Sequence, residues 1–419
     1  MKPRSTQRAE VDEQGRLVLP PEIAARYGLK PGVQVHMDEE ADGLHVRRPV
    51  THLAKLYVEP TSECNLACRT CIRNVWDEPM GRMADATFAR LIAGLRSFSP
   101  PPTVFFGGFG EPLAHPHIVE MVTQAKALGA PVELITNGTL LTEDLSRRLV
   151  AARLDVLWVS IDGATPESYA DVRLGAALPE VIANVARFRD MRRTWIFQRP
   201  TPEIGIVFVA MRRNVSDLPA VLRLGRHLGA SRCLVTNVLP HTAEMRAEVL
   251  YSRALSDIAY LPSLWVPHLS LPKMDVTDAT RAPLYQAMRG GWNVSLAENN
   301  LGQANDRCPS IENGAAAIGW DGSFSPCLPL LHSHVSFLDE RERFSRRYVI
   351  GNVVERGLTD LWYAPEHVAF RERVQAFDFS PCAACGGCDL SPTNEADCYG
   401  NPFPTCGGCL WAQGVIRCP

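Results

Sequence analysis

Thirteen cysteines are distributed very unevenly along this 419-residue chain, and their placement limits the fold more than any other feature. Three lie at 64, 68 and 71, one stands at 233, and nine fall between 308 and 418, seven of them after residue 381. The opening Met1 to Arg8 carries no apolar export stretch, and no apolar run approaches the ~20 residues that a membrane helix needs. The expected location is therefore the cytoplasm, with no membrane partner. In a reducing compartment a disulfide framework is disfavoured, and dense cysteines point to metal. With 43 Lys and Arg against 46 Asp and Glu, the net charge of -3 provides no global field toward nucleic acid or anionic lipid.

The segment order narrows the choice of metal. From Leu56 to Val238 the pattern reads strand, loop, helix, repeated. Strands are expected at Leu56–Glu59, Thr103–Gly107, Val132–Thr136, Val156–Asp162, Ile204–Ala210 and Cys233–Asn237. Helical stretches are expected near 84–97, 116–128, 142–153, 178–193 and 216–228. This alternation implies an α/β class with parallel strands and βαβ crossovers, as a doubly wound sheet or a barrel. In either architecture chemistry gathers at the C-terminal strand ends. Residues 239–306 read as a helical bridge interrupted by prolines. From 307 to 419 runs a cysteine-rich region with a hairpin across Asp321-Gly322 and an amphipathic helix near 358–376. Cys233, opening a strand, reads as a core thiol, and the pairs His115/His117 and His332/His334 read as solvated loop histidines.

Cys64-x3-Cys68-x2-Cys71 directly follows the first expected strand. Three thiolates on one short loop can hold three irons of a 4Fe-4S cube and leave the fourth open, although a three-ligand zinc site completed elsewhere also fits the spacing. The loop resembles the signature of radical S-adenosylmethionine (radical SAM) enzymes, except that Thr70 stands where relatives carry an aromatic residue. Gly108-Phe109-Gly110-Glu111, after the second strand, resembles the segment that meets the cofactor's amino group. Thr136-Asn137 ends the third strand, and Ser160 with Asp162 and the later Arg173 resembles the segment that meets the ribose and methionine ends. The resemblance implies a partial (β/α)6 barrel over 51–238. It implies S-adenosyl-L-methionine as cofactor, cleaved reductively to methionine and a 5′-deoxyadenosyl radical.

Cys308-x13-Gly322-x4-Cys327 matches the opening of a SPASM domain. Cys382, Cys385, Cys388, Cys398, Cys406, Cys409 and Cys418 follow with spacings that depart from that family's pattern. Eight thiolates would ligate two auxiliary 4Fe-4S clusters, three clusters in all with the first loop, and nine are available. Cys382-x2-Cys385-x20-Cys406-x2-Cys409 also satisfies a zinc ribbon, which would leave five cysteines unused.

Residues 1–50 read as a β-rich unit too small to be stable alone. Gly15 to Pro20, Leu29 to Gly32 and Asp42-Gly43-Leu44 resemble AbrB/MazE/SpoVT-like swapped-hairpin domains, whose members interleave as dimers and often bind DNA. Its eight basic and eight acidic residues favour homodimerisation or substrate docking over DNA. SPASM relatives act on peptides or protein side chains and draw electrons from a ferredoxin or flavodoxin. The late Pro404-Thr405-Cys406-Gly407-Gly408-Cys409 run, together with the domain order, resembles maturases associated with tungsten-cofactor aldehyde ferredoxin oxidoreductases. The expected activity is thus radical maturation of a peptide or partner protein. A redox-sensing DNA-binding regulator and a small-molecule radical enzyme are the alternatives.

Overall fold

The computed structural model describes residues 8–40, 43–192, 200–252, 255, 267–272, 274–288, 293–296, 299–300, 307–385 and 387–419. Its centre is a nine-stranded sheet. Six strands pair in parallel and in chain order: β1 (Lys55–Val58), β2 (Thr103–Phe106), β3 (Val132–Thr136), β4 (Val156–Ser160), β5 (Glu203–Ala210) and β6 (Ala230–Asn237). On the other side of β1, β7 (Ala315–Ile318) adds in parallel, followed by antiparallel β8 (Ser323–Ser325) and β9 (Gly351–Asn352). The cysteine-rich region therefore shares one sheet with the N-terminal half.

Period-two alternation sorts the strand residues. Leu56, Val58, Val104, Phe106, Leu134, Leu157, Val159, Ile206 and Phe208 face the main core. Phe105, Val156, Trp158 and Val207, with Tyr57, Ile135 and Leu234 beside them, form a second cluster on the opposite face. β4 is buried along its whole length, as expected of an interior parallel strand covered on both faces.

The crossovers are α1 (Asp85–Leu95), α2 (Ile118–Ala127), α3 (Glu143–Ala151), α4 (Pro166–Val172), α5 (Leu178–Met191) and α6 (Leu218–His227). α4 lies beyond the sequence expectations; Thr165 and Ser168 close a capping box around it, and Pro166 occupies its first turn. The helix expected near 358–376 is two helices, α7 (Leu358–Trp362) and α8 (Pro365–Ala376). Ala364, preceding Pro365, is extended, because the proline ring disfavours the helical region for the residue before it.

Three expectations need correction. Cys233 is exposed rather than a core thiol, because β6 is the sheet's outer strand. His115, His332 and His334 are buried, and of the four histidines only His117 is solvent-facing, paired with Asp85 at 2.8 Å. The described part of 239–306 contains helices Ala243–Ala247 and Asp278–Met288, but also a three-stranded sheet of His268–Leu271, Asn293–Leu296 and Asn299–Asn300.

Near the N-terminus, Glu10–Val11 pairs with Leu17–Val18, and Met37–Glu40 with Gly43–Val46, around helix Pro21–Tyr27. Val33 to His36 lead into the strand that begins at Met37. Val11, Leu17, Met37 and Leu44 are each more than half exposed. Arg47 ties the unit down by pairing with Asp38 at 2.7 Å and with Glu312 at 3.5 Å.

Candidate active site

The cysteine loop leaves β1 through Glu59 to Glu63 and is held by its own side chains. The Thr61 hydroxyl donates to the Gly81 carbonyl at 2.7 Å, and Ser62 accepts from the Gly81 N–H at 2.9 Å. Arg73 reaches back to the Leu66 carbonyl at 2.6 Å, and Asn74 to the Cys68 carbonyl at 2.8 Å. The Arg69 N–H donates to the Val172 carbonyl at the end of α4. Around it, Arg69 and Arg213 share Asp171 and Glu244 as ion-pair partners. The thiols are thus presented on a braced loop.

Cys64, Cys68 and Cys71 line one cavity of about 250 Å³, together with Thr70, Gly108 to Glu111, Thr136, Asn137, Ser160 and Arg173. Its far wall includes Val209, Thr236, Leu239, Trp411 and Ile416. Each of the six parallel strands or the loop that follows it contributes to this lining.

Glu111, 3% exposed, ties two strand ends together. One of its carboxylate oxygens accepts from the Leu113 N–H at 3.0 Å and the Thr136 hydroxyl at 2.7 Å, and the other from the Asn137 N–H at 2.7 Å. Burial raises its pKa, and these donors oppose the rise. Asp162 behaves differently from the sequence expectation. It does not line the cavity but lies beneath it, fully buried, pairing with Arg173 at 2.6 Å and accepting from the Val209 N–H at 2.7 Å. It therefore acts through Arg173, whose other guanidinium nitrogen lies 3.8 Å from the Cys68 sulfur. Burial works against the charge on Arg173, and Asp162, Cys68 and Tyr169 together more than offset it.

The donor set fits an iron–sulfur cluster. Soft thiols meet N–H donors: Asn137 Nδ2 lies 3.8 Å from the Cys64 sulfur and the Leu66 N–H 3.4 Å from it. Hydrogen bonds of this kind orient and tune metal-bound thiolates. Burial pushes up the Cys64 and Cys71 thiols, so their ionisation calls for a coordinated cation.

A second cavity, of about 40 Å³, is lined by Cys308, Cys327, Cys406 and Cys409. Burial pushes Cys308 up to about 12, Cys327 and Cys406 well above the usual thiol range, and Cys409 up. This grouping joins Cys406 and Cys409 to the first cysteine pair rather than to Cys382 and Cys385, as a zinc ribbon would require. Cys382 is buried, whereas Cys385, Cys388 and Cys398 are exposed. Cys418 lines neither cavity and is pushed up to about 11 by burial. Among the described residues, no three His, Cys, Asp or Glu side chains gather as a single-ion site.

One buried cluster escaped the sequence reading. His332 bonds Glu59 at 2.9 Å through Nε2 and Glu78 at 2.7 Å through Nδ1, and it stacks on Trp76 with ring centroids 4.2 Å apart. The other Glu59 oxygen accepts from the Phe109 N–H at 3.0 Å. Burial opposes the charge on His332, but the two carboxylates raise its pKa to about 9. The imidazolium thus links the cysteine-rich region to the glycine-rich strand exit. The x-H-x-H spacing marked His332, but its carboxylate partners lie 254 and 273 residues away and leave no local signal.

The Radical SAM superfamily model matches residues 58–197, and the SPASM iron-sulfur cluster-binding domain matches 308–389. A curated relative from Pyrococcus furiosus, the tungsten-containing aldehyde ferredoxin oxidoreductase cofactor-modifying protein, is 30% identical over 371 residues, covering 87% of this chain and 96% of its own. PqqA peptide cyclase of Gluconobacter oxydans is 32% identical over 178 residues, 42% of this chain and 47% of its own. Among solved structures, Streptococcus suis SuiB bound to precursor peptide SuiA superposes with a TM-score of 0.51 at 15% identity, covering 83% of this chain and 72% of that one.

Proposed function

Because this chain belongs to the radical SAM superfamily and carries an iron–sulfur cluster-binding SPASM domain, we propose that it is a maturase acting on a peptide or partner protein. The narrower assignment is to the cofactor-modification system of a tungsten-containing aldehyde ferredoxin oxidoreductase. The observation that carries the reading is the single cavity in which the three loop thiols meet the ends of β2, β3 and β4. When bound there, a 4Fe-4S cluster and S-adenosylmethionine supply one-electron cleavage of the sulfonium to a 5′-deoxyadenosyl radical.

The chain's own residues hold and shield that chemistry. Cys64, Cys68 and Cys71 would hold three irons. Gly108 to Glu111 would bring backbone close to the cofactor's amino end, with Glu111 fixing Thr136 and Asn137. Ser160 and Arg173 complete the polar wall, and Asp162 positions Arg173. Leu239, Trp411 and Ile416 form an apolar wall that excludes water from a reactive intermediate. Six strands laid flat at ~4.8 Å spacing would spread their ends over about 24 Å. Their common lining of one cavity supports a sheet curled into a partial barrel over 51–238.

Cys308, Cys327, Cys406 and Cys409 would hold one auxiliary cluster, and Cys382, Cys385, Cys388 and Cys398 the second, leaving Cys418 spare. Together with the loop these make three clusters, fed by a ferredoxin- or flavodoxin-type donor. We further propose a cytoplasmic protein in which 1–50 serves dimerisation or substrate docking and 307–419 is the auxiliary domain.

Anaerobically reconstituted protein given dithionite and S-adenosylmethionine should release 5′-deoxyadenosine, and Cys64→Ala should release none. Absence of the product from the iron-loaded wild type would refute radical chemistry. Unchanged activity of the tungsten enzyme in a host lacking this protein would refute the narrower assignment.

A further inference from the structure

The hairpin of His334–Leu338 and Arg341–Ser345 lies against the cysteine segments of the auxiliary domain. Arg341 and Arg343 are two residues apart on one strand and so project to the same face. Arg341 donates to the Cys385 carbonyl at 2.6 Å and lies 3.3 Å from that of Cys382. Arg343 points deeper. It is 2% exposed and lines the cavity with Cys308, Cys327, Cys406 and Cys409. A methyl group on Gly408, between Cys406 and Cys409, would lie 2.8 Å from its guanidinium carbon.

The Arg343 charge has little to answer it. Nη1 donates to the Ser391 carbonyl at 2.5 Å, and among the described residues no carboxylate forms an ion pair with it. Burying a guanidinium without a counter-charge is unfavourable, because its lost hydration is not repaid. The cavity it lines is the one that gathers Cys308, Cys327, Cys406 and Cys409. An anionic thiolate-bound cluster held by those four would answer the cation, and the cation would answer it. This argument rests on reading those four thiols as an auxiliary cluster site.

We propose that Arg343 is the fixed counter-charge of this auxiliary cluster and sets its reduction potential. Reduction adds negative charge to the cluster, so a cation held beside it stabilises the reduced form more than the oxidised one and raises the potential. Arg343 is thereby a tuning residue for the step in which this cluster accepts an electron. Gly408 leaves the space that lets it approach.

The test uses the full chain carrying Cys64→Ala, Cys68→Ala and Cys71→Ala, so that only auxiliary signals remain. Each variant is followed by iron content and by EPR-monitored redox titration, and the relevant signal is identified as the one altered by Cys308→Ser. Arg343→Gln should lower that midpoint by ~59 mV or more, which is a tenfold shift in a one-electron equilibrium. Arg343→Lys should keep the parental value. An unchanged midpoint in Arg343→Gln at full iron content overturns the proposal, as does an equal drop in both variants. If Arg343→Gln loses the cluster's iron, Arg343→Lys decides: retention at the parental midpoint supports the proposal, and loss overturns it. A parent without auxiliary iron removes the site itself, an outcome the iron assay separates from failure of the arginine's role.

Discussion

His332 is the residue whose behaviour is most open to measurement. Its folded pKa of about 9 exceeds the ordinary 6.5, so its contribution to stability is fully present below pH 6.5 and is lost as pH rises through 9. The size is on the order of 3 kcal/mol. Denaturant unfolding of the wild type should therefore weaken across that window relative to His332→Gln, and parallel pH curves for the two would contradict a charged pairing of His332 with Glu59 and Glu78. Because Glu59 also fixes the Phe109 N–H, His332→Gln should raise the dissociation constant for S-adenosylmethionine while loop iron stays bound. Arg173 allows a second prediction. Removing it strands the fully buried Asp162, and breaking a buried pair of this kind costs ~3–5 kcal/mol. Arg173→Ala should show that loss by denaturation, with Arg173→Lys intermediate.

Glycines in two turns bring the parts of each site together, and each makes a local prediction. A methyl group on Gly110 would collide with the Thr61 carbonyl oxygen, so Gly110→Ala must push the β2 exit away from the β1 exit. Its expected outcome is lost S-adenosylmethionine binding with auxiliary iron retained, measured by isothermal titration and iron analysis. Gly407→Ala would strike the Ser380 carbonyl oxygen, and the reverse outcome is expected: auxiliary iron lost, cofactor binding kept. These elements were largely legible beforehand. The cysteine spacing and the Gly-Phe-Gly-Glu exit marked residues that line one cavity, and the six parallel strands lie within about three residues of where alternation placed them. What stayed hidden depends on partners distant in sequence. Asp162 reads as a cofactor contact until Arg173 is seen to cover it. The burial of His332 depends on Glu59 and Glu78, and Cys233 lost its expected burial because nothing in a strand's own residues marks it as the sheet's edge.

The N-terminal unit adds a prediction about assembly. Val18 and Leu44 are 49% and 63% exposed on short strand pairs that bury little by themselves. Val18→Asp combined with Leu44→Asp should lower the sedimenting mass to that of one chain; an unchanged mass would argue against dimerisation through this unit. A different consequence follows from the parallel pairing of Ala315–Ile318 with Lys55–Val58. The ribosome makes the first strand long before its neighbour, and contacts so distant along the chain slow folding. The nascent polypeptide therefore carries its first three thiols with one flank of their supporting strand unpaired until the seventh strand emerges. A loop that must hold its thiols in one arrangement thus waits for the last quarter of translation to receive its complete scaffold.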